Sequence, residues 1–175
     1  QLCYLQGGIK LSQVAVLASG GLDSSILLAD LQQTQEVFPI YIENGLVWES
    51  AELQALKSFI SALESPFINT PSIIAVPTHE LYGNHWSVTG DKVPAAGTPD
   101  SAVFLPGRNI LLIGLVAVWC ATHDIADIAI GSLDGNPFPD ATPTFFEEYG
   151  RLLSNALQHK VEISAPYRLK SKAQL

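Results

Sequence analysis

Ser19, Gly20, Gly21, Leu22, Asp23, Ser24 and Ser25 stand directly after the apolar run Val14-Ala15-Val16-Leu17. Paired glycines leave no Cβ between backbone amides and an oxyanion, and the N–H groups opening a following helix add partial positive charge. Phosphate is the natural occupant of such a cradle. A carboxylate at Asp23 would repel bare phosphate unless a hard cation lay between them, and Mg²⁺ binds few carboxylates together with phosphate oxygens. The plainer reading makes Asp23 a helix-opening residue favoured by the macrodipole, and Ser24 and Ser25 either phosphate donors or caps. A Walker loop is excluded because no lysine follows the glycines, and the Gly-x-Gly-x-x-Gly dinucleotide fingerprint is absent. What remains is a phosphate cradle of another kind, or a glycine-rich turn with no ligand.

Two further segments carry chemistry. Leu105-Pro106-Gly107-Arg108-Asn109 places a guanidinium and an amide at the start of an apolar stretch. Arg108 can clamp a phosphate or carboxylate through two parallel hydrogen bonds, whereas Asn109 is equally explained as a helix cap. In Gly131-Ser132-Leu133-Asp134-Gly135-Asn136-Pro137-Phe138-Pro139-Asp140, two carboxylates project from a proline-stiffened loop. Asp134-Gly135 reads equally as an ordinary turn, while Asp140 is less readily a turn residue. His79 and His85 flank Tyr82-Gly83-Asn84 at a spacing that is not a metal signature, so an aromatic and imidazole wall for a planar ligand is expected there.

The elements that must position these loops follow from the hydrophobic pattern. Val14–Leu17 reads as a buried strand, and Leu22, Ile26, Leu27 and Leu31 as a helical face. Val37–Ile42 reads as a second strand, with Pro39 pointing to an edge or an irregular pairing. Leu53, Leu56, Ile60 and Leu63 mark a second helix, and Ile73–Val76 a third strand. From Pro77 to Gly107 no periodicity persists, and irregular segments of that length inside a domain usually bind something. Asn109–His123 reads as a buried helix, Asp127–Ile130 as a fourth strand, Phe145 to Ala156 as a helix, Val161–Ala165 as a fifth strand and Ser171-Lys172 as the opening of another helix. Alternation of this kind predicts an α/β fold, a doubly wound, mainly parallel sheet with helices on both faces, whose ligands bind at the carboxyl ends of the strands. The loops named above all follow strands and should converge there.

The chain has 175 residues, 47% of them hydrophobic, which fits one α/β domain spanning 1–175. No apolar run approaches a bilayer span and no signal peptide is visible at the start, so a cytoplasmic protein with no membrane partner is expected. Nine Lys and Arg against 17 Asp and Glu, a net charge of -8, argue against a nucleic-acid partner and for a small-molecule substrate. Cys3 and Cys120 are too few for a disulfide framework or a zinc cluster. Cys120, within Val116-Ala117-Val118-Trp119-Cys120-Ala121, reads as a small buried apolar residue.

Taken together, these motifs resemble the 7-cyano-7-deazaguanine synthase family, the QueC-like branch of the ATP pyrophosphatases, an adenine nucleotide alpha-hydrolase-like fold. The matching elements are Ser19-Gly20-Gly21-Leu22-Asp23-Ser24, Pro106-Gly107-Arg108-Asn109, Ile130-Gly131 leading to Phe138-Pro139-Asp140 with the helix at Phe145, and Ala165-Pro166 followed by Ser171-Lys172-Ala173. The first motif is superfamily-wide, and the other three point to this branch. The resemblance implies a ligase that adenylates 7-carboxy-7-deazaguanine with ATP and Mg²⁺, releases pyrophosphate, and lets ammonia displace AMP. A second ATP then dehydrates the amide to a nitrile. It implies an ATP segment of Leu17, Ala18, Ser19, Gly20, Gly21, Leu22, Asp23, Ser24, Ser25, Ile26 and Leu27, with Asp23 meeting Mg²⁺ through phosphate. It also implies a substrate and catalytic set of Arg108, Asn109, Asp134, Asp140 and Lys172, and it admits a homodimer.

This sequence departs from the family pattern in three ways, one of them the extended loop Leu81-Tyr82-Gly83-Asn84-His85-Trp86, which points to a divergent member. The four C-terminal cysteines that bind structural zinc in family members are absent, the chain ending about where they would begin, so the domain is expected to be incomplete at its C-terminus and these residues support no zinc site. Ala141 stands where a cysteine commonly follows the Pro-Asp pair. A tRNA-thiolation enzyme, another amide-forming ligase and a non-catalytic nucleotide-binding module are the competing readings.

Overall fold

The structure is a computed structural model and describes residues 4–5, 8–9, 11–95 and 97–175. A short antiparallel pair, β1 (Tyr4–Leu5) and β2 (Gly8–Ile9), precedes the main sheet. The chain then alternates through β3 (Ser12–Leu17), α1 (Leu22–Leu31), β4 (Gln35–Glu43), α2 (Glu49–Leu63) and β5 (Ser72–Ala75). Two single-turn helices follow, α3 (His79–Tyr82) and α4 (Trp86–Thr89), then α5 (Arg108–Thr122), β6 (Asp127–Ile130), α6 (Pro143–Leu157) and β7 (Glu162–Ser164). The main sheet has the order β5-β4-β3-β6-β7, and every pairing in it is parallel. The winding runs outward from β3 to β5, then returns to the other side of β3 for β6. That reversal opens a crevice at the carboxyl ends of β3 and β6, where doubly wound sheets bind ligands.

Strand alternation sorts the core into two layers. Val14 and Val16 of β3 and Val37 and Tyr41 of β4 meet Leu27 and Leu28 of α1 and Leu56 of α2. Their neighbours Ala15, Ile40 and Ile42 point the other way, against Leu112, Val116, Ala117 and Cys120 of α5. The period of two in the strands thus places one helical layer on each face, as the expected doubly wound fold requires. Cys120 is fully buried in the second layer, and that burial, with a smaller push from Asp127, raises its thiol to about 12, so no thiolate forms near neutrality. No helix among the described residues is long and apolar enough to cross a membrane.

Two readings of the pattern are sharpened by the structure, the first being Pro39, where the irregular pairing holds and the edge does not. Pro39 lies on β4, an interior strand, where it pairs in register with Val16. Val37 donates to Phe67 and accepts from Asn69, so the odd-numbered residues of β4 face the β5 side, and the β5 ladder begins only at Ile40 with Ser72. The N–H that proline lacks therefore falls in the gap between those two contacts, where no partner asks for it. The Pro77–Gly107 segment is likewise not bare loop: α3, α4 and a 3-10 turn at Asp100–Ala102 punctuate it. Turns of three or four residues are too short to leave a 3.6-residue signature.

Candidate functional site

The crevice at the β3–β6 reversal is a cleft of about 220 Å³, walled by Ser19, Gly21, Asp23, Ser24, Tyr41, Asn44, Glu52, Arg108, Asn109, Gly131, Ser132 and Asn136 among others. Its floor is the turn from β3 into α1. Ser24 knits this turn: its hydroxyl donates to the Gly21 carbonyl at 3.0 Å and accepts from the Ser19 N–H at 3.3 Å. Gly21 stands at the N-cap of α1 with no side chain to cap it, so the first-turn N–H groups of the helix lack the partner a serine or aspartate would supply.

The two glycines are required for different reasons. At Gly20 the backbone φ is +72°, and a Cβ would lie 2.1 Å from the Glu52 carbonyl oxygen, so this residue seats α2 on the loop. At Gly21 φ is -76°, open to any residue, and a Cβ would touch only Ser19 Oγ at 3.4 Å. Nothing among the described residues asks for glycine at 21. What its absent side chain leaves clear is the cleft. Gly131, leaving β6, is a third close approach: a Cβ there would sit 3.2 Å from the Asp23 carbonyl carbon and the Ser24 nitrogen.

Unsatisfied polar atoms collect in the cleft. Asp23 Oδ1 and Ser132 Oγ are buried with no hydrogen-bond partner among the described residues, and both residues line it. Buried carboxylate oxygens are rarely left so unless a ligand or ion completes them. A hard cation fits this oxygen, and an anion such as phosphate fits the uncapped helix start beside it. Arg108, the first residue of α5, is exposed on the cleft and is the one cation among the described lining residues. The ion pairs among the described residues join His79 to Glu80, Lys160 to Glu162 and Arg168 to Asp134, leaving Arg108 outside all of them.

Three cleft residues had no motif to announce them. Tyr41, at the carboxyl end of β4, donates its hydroxyl to Glu52 Oε2 at 3.2 Å and to the Glu49 carbonyl at 3.3 Å. Burial raises the Tyr41 hydroxyl far above the ordinary tyrosine range, and the carboxylates of Glu52, Glu49 and Glu43 add to the rise. Burial also raises Glu52, a rise that the Tyr41 hydrogen bond and the Arg108 charge partly oppose and Glu49 assists. Asn44 lies on the loop after β4, where the Asn44 and Gly45 N–H groups both donate to the buried Glu49 carboxylate. The available signal was position alone, since ligand-facing residues gather at strand carboxyl ends.

Of the expected nucleotide set, Leu17, Ala18, Ser19, Gly21, Asp23 and Ser24 line the cleft. Gly20 supports it from behind. Leu22 points outward at 59% exposure, while Ser25, Ile26 and Leu27 turn away from the cleft, Leu27 into the core beneath α1. Of the expected substrate set, Arg108 and Asn109 line the cleft, and Asp134, Asp140 and Lys172 do not. Asp140 is buried in the 3-10 turn Pro139–Ala141, where its Oδ2 accepts the Asn109 N–H at 3.0 Å and its carbonyl accepts the Asn109 side-chain amide at 2.9 Å. It caps α5 from 31 residues away in place of the side chain that Gly107 lacks, and so positions Arg108 rather than facing the cleft. Asp134 is exposed and lies 3.8 Å from Arg168, and Lys172 opens an exposed 3-10 turn near the end of the chain.

Past Arg108 the cleft continues into an apolar recess of about 40 Å³ walled by Leu46, Val76, Leu81, Leu105 and Leu115. It then opens into a groove of about 510 Å³ flanked by Tyr82 and His85. Of the residues expected to form an aromatic and imidazole wall, Tyr82 and His85 line this groove and His79 does not, while Trp86 packs against Trp48 at 5.4 Å. No group of three metal-ligating side chains is found among the described residues.

Comparison with known proteins adds independent findings. The family model for "Queuosine biosynthesis protein QueC" matches residues 13–175. The 7-cyano-7-deazaguanine synthase 1 of Desulfitobacterium hafniense is 28% identical over 161 residues, covering 89% of this chain and 70% of that protein. The 7-cyano-7-deazaguanine synthases of Nitrosospira multiformis and Methanocaldococcus jannaschii are 28% and 26% identical, covering 93% and 90% of this chain and 73% and 72% of their own lengths. A crystal structure described as a predicted subunit of tRNA methyltransferase from Methanocaldococcus jannaschii superposes with a TM-score of 0.60, covering 94% of this chain and 72% of that one. At 14% identity that likeness concerns the fold alone.

Proposed function

This chain belongs to the QueC family, and from that membership we propose that it is an ATP-dependent ligase of queuosine biosynthesis. It activates the carboxylate of 7-carboxy-7-deazaguanine by adenylation and aminates it with ammonia, releasing AMP and pyrophosphate. Dehydration of the amide to the nitrile with a second ATP completes the sequence. The observation that carries this reading is the cleft itself, which combines, among the described residues, an uncapped helix start behind Gly21, an unpartnered Asp23 oxygen and an unpaired Arg108 at the crevice of a doubly wound sheet.

Each of these residues has a part in the proposed chemistry. The backbone amides opening α1 bind phosphate oxygens, and Gly21 lets them approach. Asp23 and its neighbours would hold Mg²⁺, which when bound neutralises charge on the departing pyrophosphate. Arg108 supplies a fixed positive charge for a carboxylate or phosphate, of the preorganised kind that lowers barriers most. The apolar recess and the groove flanked by Tyr82 and His85 suit the flat ring of the acid, with its carboxylate toward Arg108. A tRNA substrate is disfavoured by the net charge of -8.

The test is product analysis with 7-carboxy-7-deazaguanine, MgATP and ammonium. AMP and pyrophosphate are expected as the nucleotide products. ADP and phosphate as the main products would overturn the reading.

A further inference from the structure

We propose that Glu52 is the general base of the amination step, taking the proton that the incoming nitrogen must lose. The proposal rests on the ligase reading above. Glu52 reaches the cleft because Gly20 allows its backbone to lie against the phosphate loop, where a Cβ would meet its carbonyl at 2.1 Å. Its carboxylate is half-buried, and Tyr41, the partner on β4, anchors Oε2 at 3.2 Å. Among the lining residues the only other carboxylate is Asp23, which sits on the phosphate loop, where it is suited to a cation. The charged and titratable groups around Glu52 are Tyr41 on β4, Glu49 on its own helix, Arg108 on α5 and Asp23 across the phosphate loop on α1.

In the step, the ammonia lone pair forms a C–N bond to the carboxyl carbon of the acyl adenylate. The C–O bond to the phosphate breaks, and its electron pair leaves with AMP. One N–H proton passes to the Glu52 carboxylate and from there to solvent. A base whose proton affinity is raised by burial works closer to neutrality than an ordinary glutamate. Tyr41 is a positioning residue here, holding the carboxylate and favouring its charged form.

The experiment compares wild type, E52Q, E52D and Y41F, each checked for folding by its unfolding midpoint. It follows two rates from pH 5 to 9: pyrophosphate–ATP exchange, which reports adenylation, and amide formation, which needs both halves. E52Q should lower amide formation about 100-fold or more and at least tenfold further than exchange, since general base catalysis contributes about 10²–10⁴. E52D should recover part of that loss. Wild type should lose amide formation as pH falls through the Glu52 titration. Y41F should move that limb to higher pH, because it removes the hydrogen bond that favours the carboxylate. Equal loss of exchange and amide formation in E52Q, a rate within about threefold of wild type, or an unmoved limb in Y41F would each overturn the proposal. Wild type that gives no exchange with the acid would instead strike the ligase reading, so the two failures are distinguishable.

Discussion

The loops leaving β3 and β6 lie side by side at the carboxyl edge of the sheet, and each carries an aspartate beyond a glycine. After β3, Asp23 keeps a buried oxygen with no partner among the described residues, and Gly21 leaves the helix start beside it uncapped. After β6, the carboxylate of Asp140 is engaged, its Oδ2 closing the start of α5 through Asn109. Asp134 lies outside the cleft, exposed and near Arg168. One carboxylate keeps an oxygen without a partner among the described residues, and the other is engaged with the start of α5. The difference shows that a carboxylate on a functional loop is read by what remains unsatisfied, because a group already paired in the protein has little left to offer a substrate.

Substitutions on the two loops should separate these roles. The largest effect is expected for Gly20→Ala, which meets both a φ of +72° and the Glu52 carbonyl. Strain and overpacking together should cost about 3 kcal/mol in urea unfolding and displace α2 from the cleft. A loss under about 1 kcal/mol would show that the loop relaxes freely. Asp23→Asn should do the opposite, leaving the unfolding midpoint near wild type while turnover falls at least about tenfold, roughly 1.4 kcal/mol of barrier. Asp140→Ala should cost about 1–2 kcal/mol of stability as a lost cap and reduce turnover through the displaced Arg108. If turnover falls with no change in stability, Asp140 acts on the substrate and the contrast between the loops collapses. The smallest effect belongs to Asp134→Asn, whose exposed ion pair should be worth less than about 0.5 kcal/mol with no change in rate.

Much of this arrangement was legible in the sequence, and the losses have physical causes. The strand at Val14–Leu17, the turn of Ser19–Ser24 and the apolar α5 all follow from local patterns of burial and backbone freedom, which the chain records in neighbouring residues. Pro39 left an edge and an irregular pairing both open because the gap that admits it on an interior strand is formed with residues 67–72, far along the chain. Asp140 misled for the same reason: its partner Asn109 is 31 residues away, and no local pattern separates a carboxylate that caps a distant helix from one that faces a ligand. Glu52 went unseen because it lies on a helix face among other polar residues. Only the seating of α2 against Gly20 turns that face toward the cleft.

Gly21 offers the most direct test of the central claim, that the cleft at the β3–β6 reversal binds ATP through the loop into α1. Its backbone accepts any residue and a Cβ would meet only Ser19 Oγ at 3.4 Å, so Gly21→Val should fold normally. Calorimetric titration of MgATP into wild type and Gly21→Val, with unfolding midpoints as the control, should show affinity weakened at least about tenfold, some 1.4 kcal/mol, in a variant of near wild-type stability. Unchanged affinity in the folded variant would contradict the account and place ATP elsewhere.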